Sequence, residues 1–300
     1  MITCSQAIHG IIPGLSLPAY LLLPFFSAFF AADLCLQMYI TDYHIHTDFS
    51  DGRSAPEDFA AAAIKAGLDE IGFSDHLTLT GENQKWSIDP GRLPEYFNRI
   101  HDLGRNTQHI KILAGIEADY LPGKENEIQG ILTSYPFDYV LGSVHYMGTE
   151  TVDLGREFYE GKNIDRLFEN YFQLVAAAAA SGLFDIIAHP DLIRIYGYRY
   201  SKDPVPLYRN LAKTFRSHDV AFEINTNGRN KPLGDFYPDR RFLHLFAEEG
   251  VPLCINSDAH MPSRVGQHFS EARQLALDAG FTETALFSNR KRTMIPLIVS

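Results

Sequence analysis

The sequence predicts an α/β fold built on a parallel sheet, and two observations carry that expectation. From Tyr39 onward, short β-branched or aromatic runs alternate with polar loops and amphipathic helical patterns. Such alternation implies parallel strands joined by right-handed crossovers. The second observation is where the unusual residues fall: histidines and carboxylates cluster just beyond the ends of the strand candidates. In parallel α/β architectures those ends gather on one face, where active sites are built.

The first strand starts at Met38, reads Met-Tyr-Ile-Thr-Asp-Tyr and ends at His44. A capping box follows, with Ser54 as N-cap and Glu57 three residues on. It opens a helix through Phe59, Ala63 and Ile64 that stops at Gly67. The second strand is Glu70–Phe73, followed by a long loop holding Trp86 and a helix from about Leu93 to Arg105. Ile110–Ile116, Tyr139–Val144, Asp185–Ala188, Val220–Ile224 and Val251–Ile255 complete seven strands. Helical patterns follow most of them, notably Ile164–Ala180 and Arg240–Glu249, and a last apolar run lies near Ala285–Phe287. An open doubly wound sheet and a closed barrel both fit this order. No internal repeat or low-complexity segment marks a second domain, and no Gly-rich phosphate loop is present.

Of the 300 residues, 45% are hydrophobic and 21% charged, an ordinary globular balance that fills one large core. The formal net charge of −11 repels phosphate backbones on average, so nucleic acid is not expected as a partner. A small anionic substrate would need local positive charge, which metal ions supply. Cys4, Cys35 and Cys254 are too few and too scattered for a disulfide framework or a thiolate cage. A reduced, cytoplasmic setting follows from that.

Residues 1–37 differ from the rest. The run from Leu15 to Leu36 is rich in Leu, Phe and Ala, is broken by Pro18 and Pro24, and precedes the first basic residue, Arg53. A signal peptide wants a positively charged start, and a spanning helix usually has basic flanks. We therefore read Met38 as the native start and 1–37 as an upstream extension, with an atypical signal or anchor as the alternative. Residues 38–300 are expected to form one domain, with no membrane segment within it.

On the strand framework, His44 and His46 close the first strand and Asp51 lies in the loop after it. His76 follows the second strand, Glu117 the third, His145 the fourth and His189 the fifth. Asp258 and His260 follow the seventh. In an H-x-H strand end both side chains point the same way, and Asp258-x-His260 repeats that geometry. A lone histidine after a strand is more often a loop residue than a ligand. Here, though, six of the twelve histidines segregate to strand ends together with three carboxylates. Buried carboxylates in such number need cations to offset their repulsion. Nitrogen and oxygen ligands without thiolate suit Zn, Mn or Fe. His9, His101, His109, His218, His244 and His268 have no such placement and read as surface or helix-face residues.

The pieces Asp42-Tyr-His-Ile-His46-Thr47, Phe49-Ser-Asp-Gly52, Ser74-Asp-His76, Gly115-Ile-Glu117, Gly142-Ser-Val-His145, Ala188-His-Pro-Asp191 and Asn256-Ser-Asp-Ala-His260 together resemble the PHP (polymerase and histidinol phosphatase) hydrolase superfamily. Asp51, His189-Pro-Asp-Leu-Ile-Arg194 and Glu223-Ile-Asn-Thr-Asn-Gly-Arg229 are similar to its histidinol-phosphatase branch. The resemblance implies a distorted (β/α)7 TIM-like barrel with a trinuclear metal site at the C-terminal ends of the strands. It assigns His44, His46, Glu117 and Asp258 to one ion. Glu117 is shared with His145 and His189 on a second, and Asp51, His76 and His260 hold the third.

The implied activity is a metal-dependent phosphomonoesterase, with L-histidinol phosphate of histidine biosynthesis as the leading substrate. The alternative is a phosphoesterase acting on nucleotides, nucleic-acid ends or phosphotyrosine. A non-catalytic module that binds a polymerase is disfavoured, because no ligand position is lost. Water activated by the ions would attack phosphorus in line with the ester oxygen. Arg194 and Arg229 are candidate catalytic clamps for the phosphate, Asp42 is expected to orient a ligand histidine, and Trp86, Tyr196 and Tyr198 to line the organic end of the pocket.

Overall fold

Every residue of six of the seven sheet strands is buried, and the seventh is buried from its third residue onward. A computed structural model describes residues 38–80 and 84–298. The strands are β1 (Thr41–Asp42), β2 (Glu70–Phe73), β3 (Lys111–Asp119), β4 (Tyr139–Ser143), β5 (Ile186–Ile187), β6 (Ala221–Asn225) and β7 (Leu253–Asn256). All neighbours pair in parallel and in chain order. The sheet then nearly closes, because Ile45 beyond β1 bridges Ala259 beyond β7. The backbone N–H of His46 donates to Ala259 O at 2.9 Å, and that of Ala259 to His44 O at 3.1 Å. The barrel, not the open sheet, is the outcome.

Burial on both faces explains the apolar continuity of the strands. Alternation then divides their residues into two clusters. Val140, Ile187 and Phe222 pack outward against the helices, while Leu141, Ile186 and Ala221 pack inward with Leu113, Tyr139 and Cys254. Followed toward the C-terminal end, the inward positions turn polar. Leu113 shares its parity with Glu117 and Asp119, and Leu141 with Ser143 and His145. Ala221 leads to Glu223 and Asn225, and Cys254 to Asn256 and Asp258. One face of each of these strands thus supplies barrel core at one end and chemistry at the other.

The helices are α1 (Pro56–Ala66), α2 (Leu93–Asn106), α3 (Glu125–Leu132), α4 (Ile164–Ala180), α5 (Val205–Ser217), α6 (Arg240–Glu248) and α7 (Phe269–Ala279). Two local expectations need correction. Ser54 is not the N-cap of α1: Ala55 holds that position without a side-chain cap, and Pro56 opens the helix, where its missing N–H costs nothing. Gly67 does end the helix, at φ 76°, donating to Ala63 O and Ile64 O. Glu117 does not follow its strand but lies within it, because β3 runs on to Asp119 and pairs with the short strand His76–Leu77.

The apolar run near Ala285–Phe287 belongs to an antiparallel hairpin of β8 (Glu283–Ser288) and β9 (Lys291–Pro296). Ala285 and Phe287 enter the inner cluster, and Arg290 binds Asp138 O and Asp185, residues just before β4 and β5. The hairpin therefore covers the barrel end opposite the histidines. No helix among the described residues is long and apolar enough to cross a membrane. The expectation for 1–37 lies outside the described residues.

Candidate metal centre

The turn after β1 closes tightly. The N–H groups of Ser50 and Gly52 both donate to Thr47 O, at 3.1 and 2.9 Å. A Cβ on Gly52 would stand 2.1 Å from His46 O, so only glycine permits this turn. Asp75 fastens it from the neighbouring strand end, accepting from Thr47 N at 2.8 Å, Thr47 Oγ1 at 2.8 Å and Ser50 Oγ at 2.6 Å. Burial pushes the Asp75 carboxyl up to about 6, against the pull of those donors. The turn carries Asp51 to 3.9 Å from His46 Nδ1, 3.7 Å from His76 Nε2 and 3.2 Å from His260 Nε2.

Glu117 is the centre. Its Oε2 lies 3.2 Å from His44 Nε2, 3.5 Å from His46 Nε2 and 2.8 Å from His76 Nδ1. Its Oε1 lies 3.1 Å from His189 Nε2 and 3.9 Å from His145 Nε2. Asp258 Oδ1 stands opposite, 3.2 Å from His46 Nε2 and 3.7 Å from His44 Nε2. All nine residues singled out in the sequence fall into four overlapping groups. These are His46, Asp51, His76 and His260; His44, Glu117 and His189; His44, His46 and Asp258; and His76, Glu117 and His145. Within each group the donor atoms lie within 4.8 Å of one another.

The donor set fits divalent cations. His44 Nε2, His46 Nε2 and Glu117 Oε2 are buried, face one another and have no hydrogen-bond partner. An unpaired buried polar atom costs about 1–3 kcal/mol, so three at one point call for a shared partner. Burial, with His76 and His260 nearby, pushes His46 down to about 3, which keeps it in the neutral form that ligates. Burial alone would raise Glu117 and Asp258, but His44 and its fellows outweigh it and hold both carboxyls well below the usual range.

Outside these nine, a further set fixes their orientation. Glu223, fully buried, places both oxygens 3.0 Å from His44 Nδ1. Asp119 lies 2.8 Å from His145 Nδ1. Each contact leaves Nε2 as the inward atom. Asn225 and Asn227 each donate to Asp258 Oδ2 at 3.2 Å. The sequence reading did not single out Glu223, Asp119 or Asp75 for these tasks. Strand parity was the available signal, since Glu117 and Asp119, like Glu223 and Asn225, are two residues apart.

Asp42 does not meet a histidine ring. Its oxygens accept from the backbone N–H groups of Ser257 at 2.9 Å and Gly266 at 3.1 Å, so it ties β1 to the loop after β7. Arg194 is buried, donating to Asp191 at 2.7 Å and lying 3.9 Å from Asp239. Arg229 is exposed, donating to Glu271 at 2.8 Å and lying over the Phe236 ring at 4.6 Å. Trp86 is at the rim, edge-on to His76 at 5.1 Å and to His145 at 6.0 Å. Tyr196 and Tyr198 pack on Tyr159, at 5.7 and 4.6 Å.

A parallel barrel that gathers nitrogen and oxygen ligands at its C-terminal end defines a class, the metal-dependent hydrolases. The particular family follows from comparison: residues 42–227 match the PHP domain model, and the chain belongs to that family. It is 34% identical to the probable histidinol-phosphatase of Deinococcus radiodurans, over 84% of this chain and 98% of that one. It is 30% identical to the histidinol-phosphatase of Lactococcus lactis, over 83% and 95%. The crystal structure of the Lactococcus lactis histidinol phosphate phosphatase, complexed with zinc, L-histidinol and phosphate, is similar at a TM-score of 0.76 and 29% identity. The match covers 86% of this chain and 100% of that one.

Proposed function

We propose that this chain is a divalent-metal-dependent histidinol-phosphatase, hydrolysing L-histidinol phosphate to L-histidinol and phosphate. The observation that carries the reading is the meeting of His44 Nε2, His46 Nε2 and Glu117 Oε2, buried and unpartnered, inside a set of nine donors. The near full-length similarity to relatives named as histidinol-phosphatases supports the substrate. Bound zinc, L-histidinol and phosphate in the Lactococcus lactis enzyme support the chemistry.

In this reading His44, His46, Glu117 and Asp258 hold one ion. Glu117, His145 and His189 hold a second, and Asp51, His76 and His260 a third. Divalent ions supply Lewis acidity toward phosphoryl oxygens and draw the pKa of water toward neutrality. The chain's own residues do the positioning. Glu117 faces five imidazoles with its two oxygens and is suited to bridging. Glu223 and Asp119 keep His44 and His145 in the tautomer that points Nε2 inward. Asp75 holds the turn that delivers Asp51. In the net reaction the ester P–O bond breaks, water supplies the new phosphate oxygen, and the alcohol oxygen leaves with histidinol.

The purified full-length chain, assayed on histidinol phosphate, nucleotides and phosphotyrosine, tests this. The highest kcat/KM is expected on histidinol phosphate, with activity lost to a strong chelator and restored by added divalent ion. A marked preference for nucleotides, or full turnover after complete metal stripping, would overturn the reading.

A further inference from the structure

Ser143 is a fully buried hydroxyl that belongs neither to the nine donors nor to the contacts that orient them so far. It is the last residue of β4 and stands two before His145, so its side chain shares the inward face. The register of β3 and β4 sets Leu141 beside Glu117 and Ser143 beside Asp119. The backbone there is fixed, since Tyr120 N donates to Ser143 O at 2.8 Å. From this place the Ser143 hydroxyl donates to Glu117 Oε1.

That one bond makes the two oxygens of Glu117 unequal. Oε1 accepts the hydroxyl and faces His189 Nε2 at 3.1 Å and His145 Nε2 at 3.9 Å. Oε2 has no hydrogen-bond partner and faces His44, His46 and His76. A carboxylate oxygen has about two lone-pair sites, so the hydroxyl takes one on Oε1 and leaves one for a cation. The terminal torsion of a glutamate is broad, and a carboxylate with no anchor can turn. Asp258 shows the other way of anchoring: Asn225 and Asn227 both hold Oδ2, and Oδ1 alone faces His44 and His46. Glu117 turns both oxygens to the centre, and a single donor on one of them fixes its orientation without closing either.

We propose that Ser143 is a positioning residue that holds Glu117 across two ion sites, committing Oε1 to the site of His145 and His189. This rests on the reading of Glu117 as a shared ligand in a divalent-metal centre, and it names what keeps the carboxylate shared. Ser143 acts through Glu117 alone. Without the hydroxyl, the carboxylate is free to turn its charge toward the three imidazoles that face Oε2. The loss therefore falls on one site and spares the others.

The test titrates the zinc-loaded full chain with a chromogenic chelator and reads zinc held per chain against free zinc. His189→Ala marks the step that belongs to the site of His145 and His189. Ser143→Ala should move that same step about 10–100-fold toward higher free zinc, the usual range for a residue supporting a ligand. The remaining steps should stay where they are. In a His189→Ala background, Ser143→Ala should add nothing, because the two changes act on one site. An unmoved step, an equal weakening of every step, or an added loss in that background would each overturn the proposal and leave the metal-dependent reading standing. A wild-type chain that holds no zinc would overturn both.

Discussion

Glu223 touches two members of the centre, the His44 ring at 3.0 Å and the His189 backbone, and through them it acts on the whole site. Besides His44 Nδ1 it accepts from the His189 backbone N–H at 2.9 Å, from Asn225 at 2.8 Å and from Asn256 at 2.7 Å. Its charge favours the His44 tautomer with a free Nε2, and its other contacts hold the start of the His189 loop. Glu223→Gln keeps the shape and removes the charge. Partners of this kind are worth about 10–100-fold in metal affinity or activity, and a drop of that size is expected in competition with a chromogenic chelator. Unchanged affinity would count against the orienting role. Arg194 is a charge tied to the fold through Asp191, and the phosphate clamp is the second reading of it. It is buried against Asp191, itself fully buried, so Arg194→Ala leaves a carboxylate without its counter-ion. Breaking such a pair costs about 3–5 kcal/mol, to be read from urea unfolding of the metal-loaded protein. Arg194→Lys separates the two readings of this residue: a fall in kcat/KM at unchanged stability would return Arg194 to the phosphate.

Elements differ in how far the sequence exposes them, and the reasons are physical. The barrel strands are legible because burial on two faces demands runs of apolar and β-branched residues, and because ligands collect at one end. The start of α1 was misread because Ser54 and Glu57 mimic a capping box, while Pro56 sets the true first turn. The hairpin of β8 and β9 was only an apolar run. Its two-residue loop is Asn289-Arg290, at φ 49° and 62°, the left-handed conformation that hairpin loops favour. An arginine there gives no Asn-Gly signal, so the turn is silent in the sequence. Asp119 and Glu223 were missed because a carboxylate inside a strand carries no mark of its own until the inward parity is followed from Glu117 and Asn225. The hairpin's purpose is visible in Phe287, which is 2% exposed and packs edge-on to Tyr43 at 6.0 Å. Removing a large buried ring costs about 3–5 kcal/mol. Phe287→Ala should lower the urea midpoint accordingly, with the far-ultraviolet circular dichroism of the folded state kept. A change under about 1 kcal/mol, within the range of surface substitutions, would show that the hairpin does not close the core.

At the scale of the whole molecule, charge sets the problem that the metal centre solves. The chain carries a net charge of −11, and three carboxylates, Asp51, Glu117 and Asp258, converge at the centre. Around them stand six histidines drawn from the ends of β1, β4, β5 and β7 and from the short strand at His76. Without cations, the carboxylates are neutralised only by protons on neighbouring histidines, and those protons occupy the lone pairs that face inward. Divalent ions held there would do both tasks at once, and would join segments of the chain as far apart as His44 and His260. Ions that bind the folded chain and not the unfolded one stabilise it by about 4 kcal/mol per site at a thousandfold excess over Kd. For a domain of about 150–250 residues, 1 kcal/mol shifts Tm by roughly 2–4 °C. Metal-stripped protein should therefore melt roughly 8–16 °C below the loaded form for each site so saturated, and added divalent ion should restore the higher Tm. Because the ligands come from both sides of the seam between β1 and β7, hydrogen exchange at Ala259 and His46 should quicken when the ions are removed. Equal melting temperatures with and without metal would mean that the nine side chains are held together by the barrel alone, and that the ions are not part of what makes the seam close.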